Sequence, residues 1–417
     1  MKVYKIEGGA PLYGEIDVHG SKNAVLPILA ATVINGGISV IHNCPKLSDV
    51  DSILNILKIL GCSVVRKKSD VYIDSRELHY CDIPIDEMNK TRSSAMFAGA
   101  LLARSRKAFI AGCGGCKIGK RPIDIHLKAF CELGVDITCA LNGIECSARH
   151  LHPGKIRLDF PSVGATENIM LLASSVSGIT TVENAAKEPE ISNLADYLRS
   201  IGVDIRGDGT DCITIKGTCF PGNGEVTVIP DRIVASTYAS AVATAGGEIK
   251  VRGINPRHCS SFLAYLRKTG MKIEYGEDFF EIKKQCRCKN FPYIITNPYP
   301  GFPTDCQPLA IASMAVAEGR GVIREKIFEN RVSHCNQLKK MGAKICVMGR
   351  NLVVDGVSTL KGAHLEAGDL RCGASLVLAA LGADGNSYIS GIDYIERGYE
   401  DLCRDFSFLG ANIERIE

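Results

Sequence analysis

Tryptophan is missing from all 417 residues, and that absence excludes nothing. Other absences exclude more. There is no run of about 18 apolar residues, so no membrane-spanning helix is expected. The opening MKVYKIEGGA has neither an apolar core nor a small-residue cleavage site, so no secretory signal is read there. The formal net charge is only +3 and no basic stripe stands out, which argues against nucleic acid as a partner. What remains is 46% hydrophobic and 23% charged, the balance of a globular chain with length for two or three domains. The 18 cysteines follow no framework spacing, and without an export signal they are expected to be small, mostly buried thiols in a reducing cytoplasm.

Internal repetition organises the rest. An amphipathic helix ending in glycine, followed at once by a β-branched strand, occurs six times: ILNILKILGCSVV, HLKAFCELGVDIT, LADYLRSIGVDIR, FLAYLRKTGMKIE, QLKKMGAKICV and DFSFLGANIER. Their glycines, Gly61, Gly134, Gly202, Gly270, Gly342 and Gly410, recur with a period of about 70 residues. Glycine suits a left-handed helix terminus, where a Cβ would clash. The other half of each period holds a polar cluster and then an apolar helix of small residues, as in GSKNAVLPILAATV, KTRSSAMFAGALLA and GDLRCGASLVLAAL. Each period reads as β-α-β-α-β-β. Six periods of this length are too long for a solenoid and fit two α/β domains of three repeats each, with the apolar helices inside and the sheets outside.

The polar clusters place Lys22, Arg92, Ser162, Asp231, Asp305 and Arg371 at the starts of the apolar helices. Ser and Asp are ordinary caps there. Lysine and arginine are not, because a cation opposes the positive end of the helix dipole. Three cations at equivalent positions therefore predict an anion that offsets them, and convergent helix starts suit a highly charged ligand.

One segment stands apart. AGCGGCKIGKRPIDIH spaces Cys113 and Cys116 as a C-x-x-C pair among glycines and cations. A zinc knuckle needs a second ligand pair, and Cys286 and Cys288 have the wrong spacing for one. A redox pair belongs at the start of a thioredoxin-like helix, which this Gly-rich loop is not. A single thiol beside Lys117, Lys120 and Arg121 has reason to be reactive, since neighbouring cations stabilise thiolate.

Taken together, GSKNAVLPILAA, GGCKIGKRPIDIHL, PSVGATENIML, ENAAKEPEI, FPTDCQP, IFENR, DLRCGASLVLA and YIERGYE resemble the UDP-N-acetylglucosamine 1-carboxyvinyltransferase family of enolpyruvyl transferases. The resemblance runs from residue 8 to residue 417. It implies a two-domain inside-out α/β barrel, with residues 22–229 as one domain and 1–21 plus 230–417 as the other. The active site is expected in the cleft between them, under a lid loop at about 111–121. The implied reaction moves the enolpyruvyl group of phosphoenolpyruvate to the 3-hydroxyl of UDP-N-acetylglucosamine, the first committed step of peptidoglycan synthesis.

By the same resemblance Cys116 is the proton donor and the site of a phospholactoyl or fosfomycin adduct, while Cys113 has no role. Lys22, Asn23, Arg121, Arg371, Arg397 and Arg331 fall on anion-binding positions for phosphoenolpyruvate. Arg92, Arg121, Pro122, Ile123, Asp124, Ile125, Ser162, Val163, Gly164, Asp305 and Ile327 fall on positions for UDP-N-acetylglucosamine. Asp305 is the candidate base and Asp369 a second carboxylate in proton relay, with a cap before Leu370 as its other reading. Phe160 departs from members that carry a basic residue there. No metal or cofactor is implied. The expected partners are the two small-molecule substrates, with no nucleic acid and no membrane, for a cytoplasmic monomer. The rival readings are a 3-phosphoshikimate 1-carboxyvinyltransferase, which lacks the lid cysteine, and a non-catalytic paralogue.

Overall fold

A computed structural model describes residues 2–417 apart from 82, 85, 88–94, 112–122 and 220. The chain divides into two compact units, one built from residues 2–19 and 230–417, the other from 20–111 and 123–229.

The third period shows the repeat in full. Strand Lys155–Arg157, helix Val163–Ala173, strand Ile179–Glu183, helix Pro189–Ser200 and strands Asp204–Arg206 and Cys212–Lys216 follow in order. The first two strands pair in parallel, as a helical crossover requires, and the last two add as an antiparallel hairpin. Other repeats borrow strands from far along the chain. Gly224–Thr227 opens the sheet of the first repeat, in parallel with Ile38–His42. Leu12–Asp17 opens that of the fourth, beside Gly247–Arg252. Val3–Glu7 sits inside the sheet of the sixth, antiparallel to both Asn386–Ser390 and Asn412–Ile416. The second repeat has three strands among the described residues.

Within each unit the helices of small apolar residues form the interior and the sheets lie outside them. In the larger unit the helices Arg232–Ala245, Gln307–Val316 and Leu370–Leu381 pack against one another. In the other unit Phe97–Ser105 packs on Val163–Ala173 and on Lys22–Ala31. The Arg232 helix is buried from Arg232 to Thr244 although it carries four serine and threonine side chains. Ser236, Thr237 and Ser240 each donate to the carbonyl four residues back, and Thr244 to the carbonyl of Ala241, so none is stranded in the core. All six repeat glycines adopt positive φ, between +86° and +103°.

The cysteines depart from expectation. Of the 16 described, eight are buried and six are exposed, Cys131, Cys139, Cys212, Cys219, Cys286 and Cys346 among them. Several of the exposed ones lie on strands that face solvent on alternate positions, which composition alone does not reveal.

Candidate functional site

In the larger unit the polar residues at the inner-helix starts divide into caps and a charge cluster. Asp231 is a cap, its Oδ1 accepting from the backbone N–H of Ile233 and Val234 at 2.8 and 3.1 Å. Asp369 is also a cap: Oδ1 accepts from the N–H of Arg371 and Cys372, and Oδ2 from Ser333 Oγ at 3.1 Å. Asp305 is not one. It lies on the 3-10 turn Thr304–Cys306 that precedes the Gln307 helix, and its carboxylate is divided between two arginines. Arg331 Nη1 donates to Oδ1 at 2.8 Å and Arg371 Nη2 to Oδ2 at 3.3 Å.

Both guanidinium groups are buried, so neither is a solvated surface charge. Burial works against the charge of Arg371, but Asp305, Tyr399 and Asp231 outweigh it and raise its pKa. Tyr399 lies under that guanidinium, 3.5 Å from Nη1, and its hydroxyl shares a 2.7 Å hydrogen bond with Thr237. Burial in turn pushes the Tyr399 phenol up. Arg397 is half-buried in the turn after Ile392–Ile395, and Ile327 is half-buried on the segment leading to Arg331.

In the other unit Lys22 is the first residue of its helix, which Ser21 caps by accepting from Ala24 N–H. Lys22 Nζ lies 2.6 Å from Asp49 Oδ2, with the side chains 12% and 6% exposed. Among the described residues, two of the cations at the helix starts thus have offsetting carboxylates in their own unit: Asp49 for Lys22 and Asp305 for Arg371. Asn23 follows Lys22 on the first turn, half-buried.

Ser162 caps the Val163 helix by accepting from Ala165 N–H at 3.3 Å, and its own N–H bonds to the carbonyl of Phe160, whose ring is exposed. Ile123, Asp124 and Ile125 begin the helix Asp124–Glu132. The two segments are brought together by His126, whose Nδ1 accepts from Asn168 Nδ2 at 3.0 Å. A Cβ at Gly164 would meet the His126 ring at 3.1 Å, so glycine sets how closely the helices approach. Burial, opposed by Asp124, pushes the His126 pKa down to about 4, which keeps the ring neutral. Arg92, Cys113, Cys116, Arg121 and Pro122 lie outside the described residues.

Sequence reasoning missed Asp49, Thr304, Glu325, His126 and Tyr399. Tyr399 stands in YIERGYE and His126 in the Gly-rich stretch, so both lay within motifs already singled out. Asp49 reads only as a first-turn acid of an amphipathic helix, and nothing local marks its partner. No group of three His, Cys, Asp or Glu side chains among the described residues is arranged to hold a metal ion. No helix among them is long and apolar enough to cross a membrane.

A family model described as EPSP synthase (3-phosphoshikimate 1-carboxyvinyltransferase) matches residues 6–406. The chain is 47% identical over 416 residues to UDP-N-acetylglucosamine 1-carboxyvinyltransferase 2 of Caldanaerobacter subterraneus subsp. tengcongensis, covering 100% of both proteins. It is 43% identical to UDP-N-acetylglucosamine 1-carboxyvinyltransferase 1 of Staphylococcus aureus, covering 99% of this chain and 98% of that one. Among solved structures, the enolpyruvyl transferase NikO from Streptomyces tendae superposes with a TM-score of 0.89 at 25% identity, covering 100% of this chain and 99% of that one. An EPSP synthase from Acinetobacter baumannii, at 19% identity and a TM-score of 0.74 over 100% of both chains, shares the fold.

Proposed function

The chain belongs to the UDP-N-acetylglucosamine 1-carboxyvinyltransferases within the EPSP synthase family, and on that premise we propose how its residues carry the reaction. It transfers the enolpyruvyl group of phosphoenolpyruvate to the 3-hydroxyl of UDP-N-acetylglucosamine and releases phosphate. The observation that carries the assignment of roles is Asp305, a carboxylate held in place by two buried arginines beside the starts of the inner helices.

Phosphoenolpyruvate brings a phosphate and a carboxylate, and Lys22, Asn23, Arg121, Arg331, Arg371 and Arg397 are the groups we assign to them. Arginine suits both anions because its planar fork donates two parallel hydrogen bonds. Cys116 gives its proton to the methylene carbon, the charge that develops at C2 is met by the attacking sugar oxygen, and a tetrahedral ketal forms. Loss of a methyl proton to the Cys116 thiolate, and of phosphate from C2, then restores the double bond and the thiol. Asp305 accepts the hydroxyl hydrogen bond, orients the oxygen and takes its proton as the bond to C2 forms, passing it to the departing phosphate. Asp369 already accepts three hydrogen bonds, which supports a fixed cap at the Arg371 helix over a moving proton relay.

The nucleotide-sugar falls to Arg92, Arg121, Pro122, Ile123, Asp124, Ile125, Ser162, Val163, Gly164 and Ile327. In support, Val163 and Gly164 present their N–H groups at the start of an 11-residue helix. Such substrates are made and used in the cytoplasm, where we place the enzyme.

Phosphate release is the test. UDP-N-acetylglucosamine with phosphoenolpyruvate should give continuous release, and shikimate 3-phosphate in its place should give none. Cys116→Ser should lose most of this activity at neutral pH, because a hydroxyl is a far weaker acid, while Cys113→Ser should turn over like the parent. Equal losses from both would restore the paired-cysteine reading, and release with shikimate 3-phosphate would overturn the substrate.

A further inference from the structure

One buried carboxylate of the larger unit with four hydrogen-bond donors is not among those assigned to substrate. Glu325, 2% exposed, closes the strand Arg320–Arg324 and begins the segment that carries Ile327 and Arg331. Its Oε1 accepts from Thr296 Oγ1 at 2.8 Å and from the backbone N–H of Ile327 and Phe328 at 2.8 and 3.1 Å. Its Oε2 accepts from Thr304 Oγ1 at 3.0 Å. Thr304 Oγ1 also accepts from Arg331 Nη1 at 2.9 Å, and the same nitrogen donates to Asp305.

Counting hydrogens fixes the direction of this chain. Two of the donors to Glu325 are backbone N–H groups. Thr296 Oγ1 receives the N–H of Lys326 at 2.8 Å, and its own hydrogen is directed at Glu325, 2.8 Å away, over the Arg324 carbonyl at 3.5 Å. Thr304 Oγ1 receives Arg331, so its single hydrogen also goes to Glu325. The carboxylate is therefore acceptor to all four, and its two oxygens do different work. One holds the turn over Ile327 and Phe328. The other polarises Thr304, whose lone pairs then face the guanidinium that grips Asp305.

We propose that Glu325 is a positioning residue for enolpyruvyl transfer, setting Asp305 through Thr304 and Arg331 and setting Ile327 through the turn. The inference rests on the reading of Asp305 as the group that orients the sugar hydroxyl. It separates into two substitutions. In Glu325→Gln the amide oxygen keeps the turn, but its NH2 meets Thr304 as a donor and forces the threonine hydrogen elsewhere. In Glu325→Ala both functions go.

Steady-state kinetics of phosphate release, with both substrates varied, reads the difference. Glu325→Gln and Thr304→Val should each lower kcat about tenfold or more while the KM for UDP-N-acetylglucosamine moves less than about threefold. Their double variant should be no slower than either single, because both break one relay. Thr304→Ser, which keeps the hydroxyl, should restore the parent kcat. Glu325→Ala should add a rise of about tenfold in that KM. Multiplying losses in the double variant, or single variants within twofold of the parent kcat, would overturn the relay. An unchanged KM in Glu325→Ala would overturn the role of the turn. Should Glu325→Ala fail to fold, Thr304→Val and Thr304→Ser still decide the relay. A parent enzyme that releases phosphate and an Asp305→Asn variant that does not, alongside silent Glu325 and Thr304 variants, would sink this inference and leave the function standing.

Discussion

His334, 1% exposed beside Asp369 and Arg331, shows how a buried base ties stability to pH. Burial lowers its pKa to about 4, with Asp369 pulling upward and Arg331 downward. The unfolded chain protonates this ring first, near 6.5, so its contribution is whole above that pH and is lost as pH falls toward 4. The same holds for His126. The urea midpoint should therefore drop between pH 6.5 and 4.5, and His334→Phe should flatten the drop by an amount equivalent to about 2–3 kcal/mol. An equally steep slope in the variant would mean that His334 is not held neutral. At this scale the sequence was half legible. Lys22, Asp305 and Arg371 showed themselves because they recur at equivalent repeat positions. Asp49 and Glu325 did not, because an ion pair or a turn closed across distant segments leaves no period to detect.

At the scale of the element, the glycines after the outer helices allow a graded test. Around Gly202, Gly270 and Gly342 an added Cβ meets nothing within 4 Å, so alanine there strains only the backbone. Each should cost about 1 kcal/mol. Gly134 has the same positive φ, but its Cβ would lie 2.2 Å from the carbonyl oxygen of His150, so Gly134→Ala should cost clearly more. Urea unfolding of the four variants measures this, and equal losses at all four would contradict it. These helix ends could be read from sequence because backbone geometry dictates them. The strand that completes each sheet could not be assigned by local pattern: Gly224–Thr227 resembles any short strand, and only its pairing with Ile38–His42 reveals which repeat it serves.

At the scale of the molecule, the two units differ in how the chain supplies them. One unit takes its described residues from 20–111 and 123–229, between the two parts of the other, which needs 2–19 as well as 230–417. A fragment spanning 20–229 should fold cooperatively alone. A fragment of 230–417 should not, because it lacks Val3–Glu7 from within one sheet and Leu12–Asp17 from the edge of another. Adding a peptide of residues 1–19 should recover its cooperative transition by circular dichroism. Cooperative unfolding of 230–417 without the peptide would show that these strands are dispensable. The class of the fold and its sixfold repeat were plain in the sequence, since periodicity survives any rearrangement of strands.

The placement of Val3–Glu7 also has a consequence in time. On the ribosome these five residues emerge early, yet the strand Asn386–Ser390 beside them is made last but one in the sheet. At about 5–20 residues per second the wait is roughly 20–80 s. Throughout it a β-forming segment, VYKIE, stands without its neighbours. Lys5 and Glu7 put charges on it, the kind of feature that discourages pairing with stray strands. This segment, made long before its partners, is thus among the latest to be placed, and any chaperone that shields it must hold it until Asn386–Ser390 has been made.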